Sequence, residues 1–194
     1  MEIGATKAVQ DRLKTTKIEE SKGASLVFCW DTHLTKIKGR NVLFIVNASN
    51  RYTIAMTDIE PRNWNYYTMY IRSVIHGVMQ EMGYSEDQIG QYFKMSGDTT
   101  VTKTHGRKSV GGINRMVMDA QYFGKKLEKE AKYQRELSEY LNRDICQPEG
   151  FDAYGYPNEL FKLDMERLGI ATKRKPAKVI DFTRYIDTNR NSNH

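Results

Sequence analysis

Apolar residues along the chain follow two rhythms: short β-rich runs in the first third and helical repeats after it. Residues 26–30 (LVFCW), 42–46 (VLFIV) and 52–56 (YTIAM) are compact runs separated by the turn-prone Lys38-Gly39-Arg40-Asn41 and by residues 47–50. They predict a three-strand antiparallel meander. The middle run is apolar at every position, so both faces of that strand are expected to be covered. Residues 1–5 suggest a further short strand, followed by a helix with Thr6 as its cap and Ala8, Val9 and Leu13 on one side. After Pro61, helical spacing relates Trp64, Tyr67, Ile71, Val74, Ile75, Val78 and Met82, and Gly83 closes that helix. Ser85 and Gln88 have the spacing of a capping box for a shorter helix reaching Met95. Residues 99–104 alternate as a strand should. A long amphipathic helix is expected over residues 113–142, on a stripe that includes Ile113, Val117, Ala120, Phe123, Leu127 and Leu137. Its outer side offers the i,i+4 pairs Lys126 with Glu130, Glu128 with Lys132 and Arg135 with Glu139. Pro157 starts a last helix that Gly169 stops.

These elements predict an α+β fold, an antiparallel sheet of about four strands packed with several helices. The 194 residues suit one domain over residues 1–170 and a basic C-terminal tail over 171–194. The formal charge of +6 is unevenly spread. Residues 99–115 carry four basic and no acidic side chains, and residues 171–194 carry six basic and two acidic, so each segment is more basic than the rest of the chain. Positive charge gathered in two places suits a partner rich in phosphate or carboxylate. Cys29 and Cys146 have no CxxC neighbour, so reduced thiols and no structural zinc are expected. No leader opens the chain and no apolar run is long enough for a bilayer, which points to a cytoplasmic protein without a membrane partner.

Residues 99–115 (TTVTKTHGRKSVGGINR) read as a strand handing over to a helix through a glycine-rich basic turn. Backbone N–H groups at a helix start, joined by Lys103, Arg107, Lys108, Ser109, Gly111, Asn114 and Arg115, would receive a phosphate or carboxylate. In the tail, Lys173, Arg174, Lys175 and Lys178 are candidates to follow a phosphate backbone or to meet an acidic protein face. Tyr66 and Tyr70 are candidates for base stacking, while Trp64 and Tyr67 fall on the core stripe. His33 and His105 are the catalytic candidates, since a histidine pair serves as base and acid in metal-free RNA cleavage. Asp31, Asp58, Glu60 and Asp98 have no spacing that forces convergence on a metal ion. The Lys108-Ser109 pair lacks the GxxxxG of a P-loop, and the segment lacks a GxSxG elbow. Neither a metal nor another cofactor is implied.

The order of motifs resembles an uncharacterised bacterial family, a domain of unknown function, over residues 1–168. The resemblance is carried by Ile3-Gly4-Ala5-Thr6-Lys7, by Trp30 before a strand, by Val42-Leu43-Phe44-Ile45-Val46-Asn47, by residues 103–114 and by Gly155-Tyr156-Pro157. Arg107, Gly111 and Asn114 match the family's R-x3-G-x2-N pattern. Where family members often show Trp-His-Ala-Asn, this chain has Trp30-Asp31-Thr32-His33. The resemblance supports the fold and the importance of the basic turn, and it implies no reaction. It also admits a phage- or plasmid-borne member that inhibits a host defence such as CRISPR-Cas. The expected function is accordingly that of a small basic protein binding RNA, DNA or a nucleoprotein such as a defence effector, with the histidine-pair ribonuclease as the alternative.

Overall fold

The computed structural model describes residues 1–14 and 18–172. Its strands are β1 (Glu2–Ala5), β2 (Cys29–Ile37), β3 (Arg40–Asn47), β4 (Thr53–Thr57) and β5 (Thr100–Thr102). Its helices are α1 (Lys7–Leu13), α2 (Pro61–Asn65), α3 (Tyr67–Glu81), α4 (Glu86–Ser96), α5 (Gly106–Gln121), α6 (Arg135–Leu141) and α7 (Pro157–Arg167). The meander β2-β3-β4 forms as expected, with His33 opposite Phe44 and Ile45 opposite Ile54. The whole sheet, however, is mixed and five-stranded in the order β4-β3-β2-β1-β5, not antiparallel with four strands. β1 runs parallel to both neighbours, setting Glu2 beside Cys29 and Thr100, and Gly4 beside Asp31 and Thr102. The crossover through α1 returns the chain to the start of β2 and so makes that pair parallel, a direction that alternation of side chains does not encode.

Both faces of the sheet are covered, as the all-apolar β3 requires. Leu43 and Ile45 pack with Ile3, Trp30, Ile71, Ile75, Tyr92 and Phe161 on one side, where α1 to α4 and α7 lie. Val42, Phe44 and Val46 meet Ile113, Met116, Ala120 and Leu137 of α5 and α6 on the other. Ser85 and Gln88 form the capping box of α4. Pro61 occupies the first turn of α2, and a break at Tyr66 separates α2 from α3.

The single long helix expected over residues 113–142 is instead α5, an irregular segment and α6. Phe123 and Leu127 still reach the core, but residues 131–134 run along the open edge of β4. There Thr57 N donates to Lys132 O and Gln134 N donates to Ala55 O, at 2.8 and 2.9 Å. Pairing an otherwise bare strand edge outweighs helix propensity in this stretch. The charged pairs change accordingly: Lys132 meets Glu60, Arg135 meets Glu81 and Lys125 meets Glu136. At its other end, α5 begins seven residues earlier than the apolar stripe suggests. Of the three glycines in the basic segment, only Gly106 has a positive φ, at 85°, and it forms the entry to the helix. Gly111 and Gly112 lie within it, so residues 106–115 of the basic segment are the first turns of a helix, following β5, and not a glycine-rich turn.

Candidate functional site

β1, β5 and the start of α5 meet where the parallel strands end, and α1 and α5 leave that end towards opposite faces of the sheet. Here the ground beneath the first turn of α5 is a buried ionic cluster. Glu2, Cys29 and Asp31 share the sheet face under α5, a consequence of the parallel register that sets Glu2 beside Cys29 and Gly4 beside Asp31. A Cβ on Gly4 would fall on Asp31 Oδ1 and lie 3.0 Å from Thr104 Cα, so glycine makes room for this carboxylate.

His105 sits between the two acids. Its Nδ1 lies 2.7 Å from Asp31 Oδ1 and its Nε2 3.0 Å from Glu2 Oε2, with the side chains of His105 and Asp31 only 3% and 0% exposed. The His105 backbone N–H also donates to Asp31, and Ser109 Oγ donates to Asp31 Oδ2. Glu2 is held in turn by Ser21 Oγ at 2.6 Å and by the Lys22 N–H at 2.8 Å. Burial opposes charge on His105, but its hydrogen bond to the Asp31 carboxylate and the negative charge of that carboxylate outweigh it, so its pKa is pushed up to about 10. The same burial opposes ionisation of Glu2, yet its bonds to Ser21, Lys22 and His105 hold it below its ordinary value. His105 is thus an imidazolium that donates from both nitrogens, which ties the entrance of α5 to β1 and β2.

This arrangement has a pH signature. A histidine whose folded pKa exceeds its unfolded value contributes stability fully below the unfolded pKa and loses that contribution as pH rises towards the folded one. Glu2, shifted the other way, contributes above its unfolded pKa and less as pH falls through its folded value. Stability from the cluster should therefore be greatest between about pH 5 and 6.5 and decline towards about pH 10. Urea midpoints across that range in chelator-containing buffer should fall on the alkaline side in the wild type. His105→Gln should flatten that fall.

The surface above the cluster is basic. Lys103 pairs with Glu20, and Arg115 pairs with Asp119 at 3.2 Å. Arg107 and Lys108, both exposed, have no acidic partner among the described residues. No side chain caps the α5 N-terminus, and no acidic residue occupies its first turn. Arg107, Gly111 and Asn114 follow one another at i, i+4 and i+7, and all three are exposed, with Arg115 beside them. A Cβ at Gly111 would meet nothing within 4 Å, whereas one at Gly112 would meet the Arg51 guanidinium at 3.0 Å. Packing among the described residues therefore explains Gly112 and does not explain Gly111.

The remaining sequence candidates are dispersed. His33 lies further along β2, half-buried, with Nδ1 3.2 Å from Thr6 Oγ1 and its pKa lowered by burial. Ser109 belongs to the buried cluster, not to the exposed stripe. Lys173, Arg174, Lys175 and Lys178 lie outside the described residues. Tyr66 is exposed, and Tyr70 packs against the core. The sequence offers Asp31 only as a metal ligand without supporting spacing, sets Cys29 aside for want of a CxxC neighbour, and gives Glu2 no role. The available signal was a charged residue at position 2 between apolar Met1 and Ile3, and another directly after Trp30, since acids inside apolar strands are buried only with partners. Both cysteines are free and buried. Among the described residues, no helix is long and apolar enough to cross a membrane.

A family model described as a domain of unknown function, DUF6933, matches residues 2–160, which include the whole cluster and the α5 stripe. No curated protein and no solved structure matches the chain.

Proposed function

The chain belongs to the DUF6933 family, and we propose that this member binds the phosphates of a nucleic acid, free or within a nucleoprotein, through the exposed first half of α5. One observation carries the reading. Arg107 and Lys108 project without acidic partners among the described residues from a helix start that carries partial positive charge, and Gly111 and Asn114 continue the same exposed stripe. The buried cluster supports it by holding the α5 entrance rigidly, which lowers the ordering cost of binding. Lys173, Arg174, Lys175 and Lys178 would add phosphate contacts.

Binding is favoured over cleavage. Proton transfer to and from RNA needs imidazoles that reach the substrate and change charge near neutral pH. The His105 ring is enclosed and spends both nitrogens on carboxylates. A nucleoprotein partner such as a defence effector presents the same phosphates, so the proposal includes it.

Fluorescence anisotropy with labelled single-stranded RNA and duplex DNA at several salt concentrations tests the reading. Affinity that rises steeply as salt is lowered is expected. Absence of binding to either at low salt would remove it, and a partner captured from lysate that survives nuclease treatment would redirect it to a protein surface.

Gly111 supplies a sharper test. An exposed glycine in a helix costs about 1 kcal/mol relative to alanine, and no neighbour among the described residues requires it. Gly111→Ala should raise the urea midpoint and at the same time weaken nucleic-acid binding, because a methyl group would stand where a phosphate backbone approaches. Tighter or unchanged binding in this variant would show that the stripe does not touch the nucleic acid.

A further inference from the structure

We propose that Glu2, Cys29 and His105 form a binding site for zinc. One ligand atom from each, a carboxylate oxygen, the thiol sulfur and a ring nitrogen, lie within 4.8 Å of one another. Donors around a tetrahedral zinc stand about 3.5 Å apart, so modest side-chain shifts close the three on one ion. The donors come from three elements, β1, β2 and the residue that opens α5. Their separation in sequence, at positions 2, 29 and 105, explains why no local motif announces the site.

Three further features fit a metal. Asp31 accepts from His105 Nδ1 at 2.7 Å, leaving Nε2 directed at Glu2, which is the carboxylate–histidine arrangement that orients metal-bound imidazoles. Ser21 and Lys22 orient the Glu2 carboxylate in the same way. The cluster also holds two carboxylates against one imidazolium, and among the described residues no lysine or arginine side chain pairs with Glu2 or Asp31. Zinc brings two positive charges into the cluster as two protons leave it, so it takes over from those protons the neutralising of these acids. The mixture of thiolate, imidazole and carboxylate selects zinc over magnesium or calcium, which take oxygen donors. On binding, the Cys29 thiol and His105 Nε2 each release a proton to solvent, Glu2 binds as the carboxylate it already is, and a water completes the coordination. Zinc would thereby fasten β1, β2 and α5 at one point. The site is separate from the exposed α5 stripe, so its failure leaves the nucleic-acid reading standing.

Cobalt(II) titrated into the full chain after dialysis against chelator provides the test. The expected result is a single equivalent bound, with a thiolate-to-metal charge-transfer band in the near ultraviolet that added zinc abolishes. Cys29→Ser should remove the band, Cys146→Ser should leave it, and Asp31→Asn should weaken metal affinity by about 10- to 100-fold. Zinc should also raise the melting temperature of the wild type. A wild-type protein without the charge-transfer band overturns the proposal whether or not the variants fold. So does a band that survives Cys29→Ser, which would place the ion at Cys146, or zinc affinity unchanged in Cys29→Ser without a band, which would place it at a surface pair such as His76 and Glu86.

Discussion

Asp31→Ala is expected to destabilise the protein by about 3–5 kcal/mol, the range found when one partner of a buried ion pair is removed. Asp31 accepts from the His105 ring, the His105 backbone and the Ser109 hydroxyl. Its removal leaves three buried donors without an acceptor and takes a countercharge from the imidazolium. The freed space cannot be refilled from β1, because Gly4 stands opposite and has no side chain to offer. Asp31→Asn keeps the volume and part of the hydrogen bonding, so it should cost less. Urea unfolding reads both, with the midpoint falling and the slope unchanged if only the native cluster is affected. An unfolding free energy for Asp31→Ala within a few tenths of a kcal/mol of the wild type would mean that the cluster does not hold the entrance of α5.

Replacing Arg107 and Lys108 together by alanine is expected to act on binding alone. Both side chains are exposed and unpaired among the described residues, and surface substitutions of this kind change stability by about 0.5 kcal/mol at most. Each charge-assisted bond to a phosphate is worth about 1.5–3 kcal/mol, so removing one such bond should weaken affinity by about tenfold or more and removing both by substantially more. The effect should be similar across sequences, because phosphate contacts position a protein without reading bases. Lys103→Ala serves as the comparison. That lysine is already paired with Glu20, so its removal should cost less affinity.

Local patterning carried much of the fold. The all-apolar run at residues 42–46 indicated a strand covered on both faces, and Leu43 and Phe44 do enter opposite cores. The Ser85 and Gln88 capping box was legible because its chemistry is confined to one turn. Strand direction was not legible. The parallel β1 and β5 follow from how crossovers route the chain, and residues 1–5 read the same in either direction. The helix over 113–142 failed where a tertiary demand, pairing the β4 edge, competed with a helical pattern of only moderate strength. In the site, the basic segment was evident from charge, but its form was not. Glycines at 106, 111 and 112 suggest a turn, whereas only Gly106 among them uses the conformational freedom of glycine. The cluster beneath was out of reach of spacing arguments, since its members become neighbours only once β1 lies beside β2.

The most direct test of the α5 surface is the dependence of RNA affinity on salt, measured by anisotropy for the wild type and for the protein carrying both Arg107→Ala and Lys108→Ala. If the two side chains neutralise phosphates, the slope of log affinity against log salt should become shallower by about one for each phosphate left without its cation, with both proteins unfolding at the same urea concentration. Parallel slopes and equal affinities in two equally folded proteins would contradict the assignment of this surface to nucleic-acid binding.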